Sequence, residues 1–240
     1  SRRVLQIISQ VFRYAVITGR AKHNVAADLR GALRPRKTVH RAAVLEPEKV
    51  GQLLRDIDAY EGYFPLVCAL KLAPLVFTRP TELRAAQWKE FDLEAGEWRI
   101  PAERMKMRRQ HLVPLSRQAM SILRELQKYS GEGKYLFPSI RTEARSISDA
   151  TMLNALRRMG YQKHEMSVHG FRSIASTLLN ELGYNRDWIE RQLAHGEQDE
   201  VRAAYNYAEY LPERRKMMQA WADYLDGLRN TQQKRIREEA

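Results

Sequence analysis

The sequence predicts a mainly α fold with a small antiparallel three-stranded sheet, an α+β arrangement. Three observations lead there. Apolar residues recur at helical spacing through most of the chain, short β-rich segments crowd into residues 88–115, and Gly or Pro marks the breaks between elements. At 240 residues the chain is long enough for one sizeable core plus an appendage.

Val4, Leu5, Ile7, Ile8, Val11, Phe12, Ala15 and Val16 follow i, i+3, i+4, i+7 spacing and predict an amphipathic helix ending near Gly19. A short helix is expected over 26–33. Arg34-Pro35-Arg36-Lys37-Thr38 then reads as an extended linker, because Pro blocks helix continuation and like charges repel. The domain boundary is placed near residue 40. Pro47, early in its helix, opens an element running to about Ala59. A mostly buried helix is expected over 62–73, stopped by Pro74, and Pro80 starts another short one. Strands are expected over 88–93, 97–100 and 111–115, and helices over 117–129, 148–158, 170–182, 186–193, 199–206 and 212–229.

Composition removes several classes. Gly and Pro together are only 21 residues, so this is no low-complexity chain. One cysteine, Cys68, rules out an intramolecular disulfide and a Cys-rich zinc module. The apolar stretch 64–77 carries Lys71 and two prolines, too short and broken to span a bilayer. The chain opens at Ser1 without a charged-then-apolar leader, which predicts a cytoplasmic protein, and a start without Met suggests part of something longer. The net charge is +12, of which residues 1–42 carry +9, leaving +3 for the rest. So basic a segment ahead of the core suits a polyanion, since each neutralised phosphate releases counterion. Charge alone does not choose among DNA, RNA and an anionic membrane.

Four short motifs could carry chemistry. Thr78-Arg79-Pro80-Thr81-Glu82-Leu83 sets a guanidinium just ahead of a helix that Pro80 starts, where the positive helix end also favours a phosphate. His169-Gly170-Phe171-Arg172 places a titratable donor and a planar fork on one helix face; Arg is no metal ligand, so the pair suits an anionic oxygen. His164-Glu165 with His169 misses the i, i+4 spacing of a zinc-protease helix. Leu193-Ala194-His195-Gly196 ends one helix, and Tyr205 follows ten residues after His195, with Tyr207 as a rival nucleophile. Lys106 lies in the charged run Glu103-Arg104-Met105-Lys106-Met107-Arg108-Arg109 between two expected strands.

Taken in order, Arg79-x-x-Glu82-Leu83, Lys106 in a hairpin, His169-x-x-Arg172, Leu193-x-His195 and Tyr205 resemble the signature of the tyrosine recombinases, and most closely the integrases of prophages and genomic islands. VFRYAVITGR, RMKMRRQHLVPLS, VHGFR and QLAHGEQDEVRAAYN resemble that group in wording as well as spacing. The Thr-Gly that often precedes the first Arg is here Phe77-Thr78. The resemblance implies the DNA breaking–rejoining catalytic fold over 42–240, with 1–41 as the end of a helical core-binding domain plus a basic linker. It implies a site-specific recombinase that integrates or excises a prophage or genomic island. Tyr205 would form a 3′-phosphotyrosyl ester and expel a 5′-hydroxyl. Arg79, Arg172 and His195 would hold the phosphate, His169 would accept the Tyr proton, and Lys106 would protonate the leaving oxygen. No metal, ATP or other cofactor is implied. The implied partners are double-stranded DNA attachment sites, three further copies in a homotetramer on DNA, and accessory DNA-bending or excisionase proteins, with no membrane. Arg36, Lys37, Arg108 and Arg109 are candidate DNA contacts. A type IB topoisomerase-like nicking–closing enzyme would share the chemistry but act as a monomer, and a basic DNA-binding protein could keep the fold without catalysis. An RNA-binding helical domain would account for the charge but not for the ordered motifs.

Overall fold

A computed structural model describes residues 2–29, 42–194 and 210–238, the side chains of the last helix as far as 231. The chain divides into two compact units, Ser1–His40 and Arg41–Ala240.

In the first unit, α1 (Arg2–Ile17) is the expected amphipathic helix, with Val4, Ile7, Ile8 and Val11 of its apolar stripe exposed. Gly19, at φ 69°, turns the chain, and Asn24 folds back to donate from Nδ2 to Ser9 Oγ at 2.9 Å. The same Asn24 accepts through Oδ1 from the Ala26 amide at 3.1 Å. That side-chain turn competes with helix formation, so residues 26–29 are turns where a helix was expected. Residues 30–33 and the linker with Arg36 and Lys37 lie outside the described residues.

The second unit is built from helices around one core. Pro47 opens α2 (Pro47–Ala59), which buries Val50, Leu53, Leu54 and Ile57. Next, α3 (Phe64–Val76) is apolar on all sides and buried on most of them. Pro74 was expected to stop this helix, yet it lies inside it. A proline so close to the end costs one amide bond, and burying Leu75, Val76 and Phe77 offsets that loss. Phe77 then ends the helix in the left-handed region, at φ 35°, fully buried. Pro80 starts α4 (Pro80–Arg84) as expected.

The three-stranded sheet runs in the order β1 (Phe91–Asp92), β2 (Glu97–Ile100) and β3 (His111–Pro114), all antiparallel, with Trp98 opposite Phe91 on one side and Val113 on the other. The first strand is shorter than expected because Trp88–Glu90 forms a 3-10 turn that carries the Glu90 side chain inward. Ser116 caps α5 (Arg117–Ser130) by accepting from the Ala119 amide at 3.3 Å. A small hairpin follows, β4 (Pro138–Ser139) with β5 (Thr142–Ser146), which the sequence did not announce: Thr-Glu-Ala-Arg-Ser has no apolar alternation, and the strand is mostly exposed. Then come α6 (Asp149–Arg158), α7 (Gly170–Glu181) and α8 (Arg186–Gln192), close to the expected spans. The helix expected over 199–206 lies outside the described residues.

The last helix, α9 (Leu211–Glu238), packs on its own chain. Met217, Met218, Trp221, Ala222 and Leu225 are buried. Trp221 Nε1 donates to the Pro74 carbonyl at 2.9 Å, and its ring meets Phe77 edge-on. The helix approaches α2 tightly at Gly51, where a Cβ would lie 2.5 Å from the Leu228 carbonyl oxygen. Beside it Arg55 Nη1 donates to the Leu228 and Arg229 carbonyls at 3.3 and 3.2 Å. No helix among the described residues is long and apolar enough to cross a membrane.

Candidate active site

Two of the expected site residues are brought together by the ends of four helices. Arg172, on the first turn of α7, is buried and spans two carbonyls: Nη1 donates to Phe77 at 2.8 Å and Nη2 to Leu193 at 2.7 Å. Arg79, the residue before α4, donates from Nη2 to the next carbonyl along, that of Ala194, at 3.1 Å. The two guanidinium groups therefore lean on consecutive peptides of the turn that leads into His195. Ala194 itself stands at φ 49°, a left-handed conformation that aims its carbonyl back toward α4. Burial, and then the charge of Arg79, pull the Arg172 pKa down to about 10, which still leaves it cationic at neutral pH.

Glu82 holds Arg79. One carboxylate oxygen accepts from the Arg79 amide at 2.8 Å and the other from Nη1 at 2.8 Å. The i, i+3 spacing of one helical turn makes this possible, and the carboxylate is buried. The sequence showed Glu82 within the Arg79 motif without singling it out as a site residue. Phe77 ends α3 at positive φ, and its carbonyl accepts from Arg172. Glycine favours that conformation, yet Phe77 holds it with its ring fully buried.

His169 is the N-cap residue of α7, one turn before Arg172, and its carbonyl accepts the Arg172 amide at 3.0 Å. Lys106 lies exposed in the turn between β2 and β3. Arg108, at φ 53°, and Arg109 are exposed on the same turn. His195 and Tyr205, and with them Tyr207, fall outside the described residues. Among the described residues no group of three or more His, Cys, Asp or Glu side chains is arranged to hold a metal ion.

Behind the turn at 193–194 lies a buried polar cluster that sequence reasoning missed. His111 Nε2 pairs with the Gln192 carbonyl at 3.1 Å; a carbonyl only accepts, so the proton is on Nε2. Arg214, on the first turn of α9 and fully buried, donates from Nε to Gln192 Oε1 at 3.1 Å and from Nη2 to the Leu112 carbonyl. Burial, and then the Arg214 charge, push the His111 pKa down to about 3. His111 looked like an ordinary strand residue, and Arg214 sits in a charged run that reads as a solvated face.

Residues 43–211 match the Phage integrase family, and residues 1–32 match the Phage integrase central domain. The integrase of Enterobacteria phage P4 is 43% identical, aligned over 96% of this chain and 56% of its own length. Prophage integrase IntA of Escherichia coli (strain K12) is 40% identical over 92% of this chain and 53% of its own. The chain thus spans about half the length of the curated relatives it matches. Among solved structures, a lambda integrase tetramer bound to a Holliday junction matches with a TM-score of 0.61 at 19% identity, over 82% of this chain and 58% of that one, a likeness of fold. With most of its length matched by the family pattern, this chain belongs to the phage integrase family.

Proposed function

We propose that the protein is a site-specific DNA recombinase that breaks and rejoins duplex DNA through a 3′-phosphotyrosyl intermediate on Tyr205. One observation carries the reading: Arg79 and Arg172 stand together on the Leu193 and Ala194 carbonyls, at the turn that enters His195. The buried Arg172 guanidinium is repelled by the charge of Arg79, and a phosphodiester held by both relieves that repulsion. The relief grows as negative charge develops on the non-bridging oxygens in the transition state. Fixed donors of this kind cost no reorganisation when the reaction occurs.

In the proposed chemistry the Tyr205 oxygen bonds to phosphorus as the bond to O5′ breaks. His169 takes the tyrosine proton, Lys106 gives one to O5′, and His195 adds a hydrogen bond to the phosphate. The ester keeps the bond energy, so a second strand's 5′-hydroxyl can reverse the step without ATP. The relatives named integrases favour joining two sites over relaxing supercoils, and the lambda tetramer on a Holliday junction supports four protomers acting on two duplexes. Residues 1–41 are read as part of a helical core-binding domain with its basic linker, a reading that the exposed apolar stripe of α1 supports.

Incubation with a nicked suicide duplex in EDTA, followed by a denaturing gel, tests the proposal. A protein–DNA band is expected, absent in Tyr205→Phe and weaker by about 10²-fold or more in Arg172→Ala. An adduct that persists in Tyr205→Phe would move the nucleophile to Tyr207. A mild Arg172→Ala effect would mean that the phosphate is held elsewhere.

A further inference from the structure

Lys106 sits on ten residues of turn between β2 and β3, exposed, yet a proton donor must meet one oxygen atom. Two residues before it, the turn is anchored. The Arg104 guanidinium is largely buried; Nη1 pairs with both oxygens of Glu90, and Nη2 donates to the Glu82 main-chain carbonyl at 2.6 Å. Glu90 is itself buried and accepts from Trp98 Nε1 at 3.0 Å, so the pair is fixed to the sheet. The next side chain, Met105, is 4% exposed and pins the backbone between anchor and lysine. On the far side of Lys106 the Arg108 amide closes back on the Met105 carbonyl at 3.0 Å. Glu82 is the shared point: its carboxylate sets Arg79 and its carbonyl sets Arg104.

We infer that Arg104 is a positioning residue for Lys106, tying the root of the hairpin to Glu82 so that the lysine's reach is measured from the arginine that grips the phosphate. The inference rests on the proposed role of Lys106. Planarity matters here, because the fork reaches a carboxylate on one side and a carbonyl on the other at fixed angles, which an ammonium group cannot copy. Arg104 touches neither DNA nor the reacting atoms in this scheme. It acts by keeping the Lys106 ammonium where O5′ departs.

Single-turnover cleavage of two suicide duplexes tests this, one with the natural 5′-oxygen and one with a 5′-bridging sulfur at the scissile position. In the first, the P–O5′ bond breaks and O5′ takes a proton from Lys106. In the second, the P–S bond breaks and the sulfur leaves as a thiolate, needing no proton. Arg104→Met should slow the oxygen substrate by roughly 10²-fold and leave the sulfur substrate at its unaltered rate, the pattern of Lys106→Ala. Arg104→Lys keeps a charge beside Glu90 and carries the test if the Met variant does not fold; it should show the same split, less deeply. Equal slowing on both substrates would overturn the inference, since that is how a displaced Arg79 or a loosened fold reads out. Full-rate cleavage of the oxygen substrate would overturn it too. If Lys106→Ala is not rescued by sulfur, the role of Lys106 falls and this inference falls with it.

Discussion

Two of the three carbonyls that receive the arginines, those of Leu193 and Ala194, hang on a turn whose other side is bolted down by His111, Gln192 and Arg214. The imidazole there is neutral in the fold, and its pKa of about 3 lies below the ordinary 6.5. The unfolded chain therefore binds a proton that the folded chain refuses. Stability from this residue is complete above about pH 6.5, and it drains away as pH falls toward about 3. Within that window the loss reaches at most ~1.4 kcal/mol per pH unit. Urea midpoints at about pH 6 and about pH 4 should separate more for the unaltered protein than for His111→Gln; parallel shifts would contradict a buried neutral imidazole. The Arg79 and His169–Arg172 motifs were legible because their spacing fits a helix start. The bolt was not, because nothing local marks Arg214 in Glu213-Arg214-Arg215 as the buried cation of that run. Gln192 and Leu112, far away in sequence, hold it inside.

Most helices could be read from their 3.6-residue period, since each buries one face on a common core. Where the local rule failed, a tertiary contact won. Pro74 sits inside α3 because the residues beyond it are buried, and its carbonyl accepts Trp221. Residues 88–90 turn rather than extend because Glu90 meets Arg104 and Trp98. The β4–β5 hairpin has little apolar surface to announce it. Gly51 shows the same precedence and gives a test. Alanine is the better helix former by roughly 1 kcal/mol, so in isolation Gly51→Ala would strengthen α2. Its Cβ would instead meet the Leu228 carbonyl, and forcing two packed backbones apart costs about 1–3 kcal/mol. A lower melting temperature is expected in the full chain. In a chain ending at residue 227 the same substitution should be neutral or stabilising; a loss of equal size there would place the clash elsewhere.

Across the whole molecule the charge is uneven, +9 of the +12 lying in residues 1–42. If the protein contacts six or more phosphates, its affinity for duplex DNA should fall roughly 10³-fold or more between about 50 and about 200 mM salt. Nitrocellulose filter binding over that range measures the slope, and a flat response would contradict an electrostatic grip. Trp221 on α9 donates to Pro74 and lays its edge on Phe77, the residue whose carbonyl carries Arg172. One indole thus sits at the junction between the last helix and the arginine cradle, in a dry pocket. Its fluorescence is a built-in gauge: as long as α9 keeps its seat the emission stays blue, and withdrawal of the helix, for instance to a neighbouring protomer, would wet the ring and redden it at the moment the cradle loses its backing.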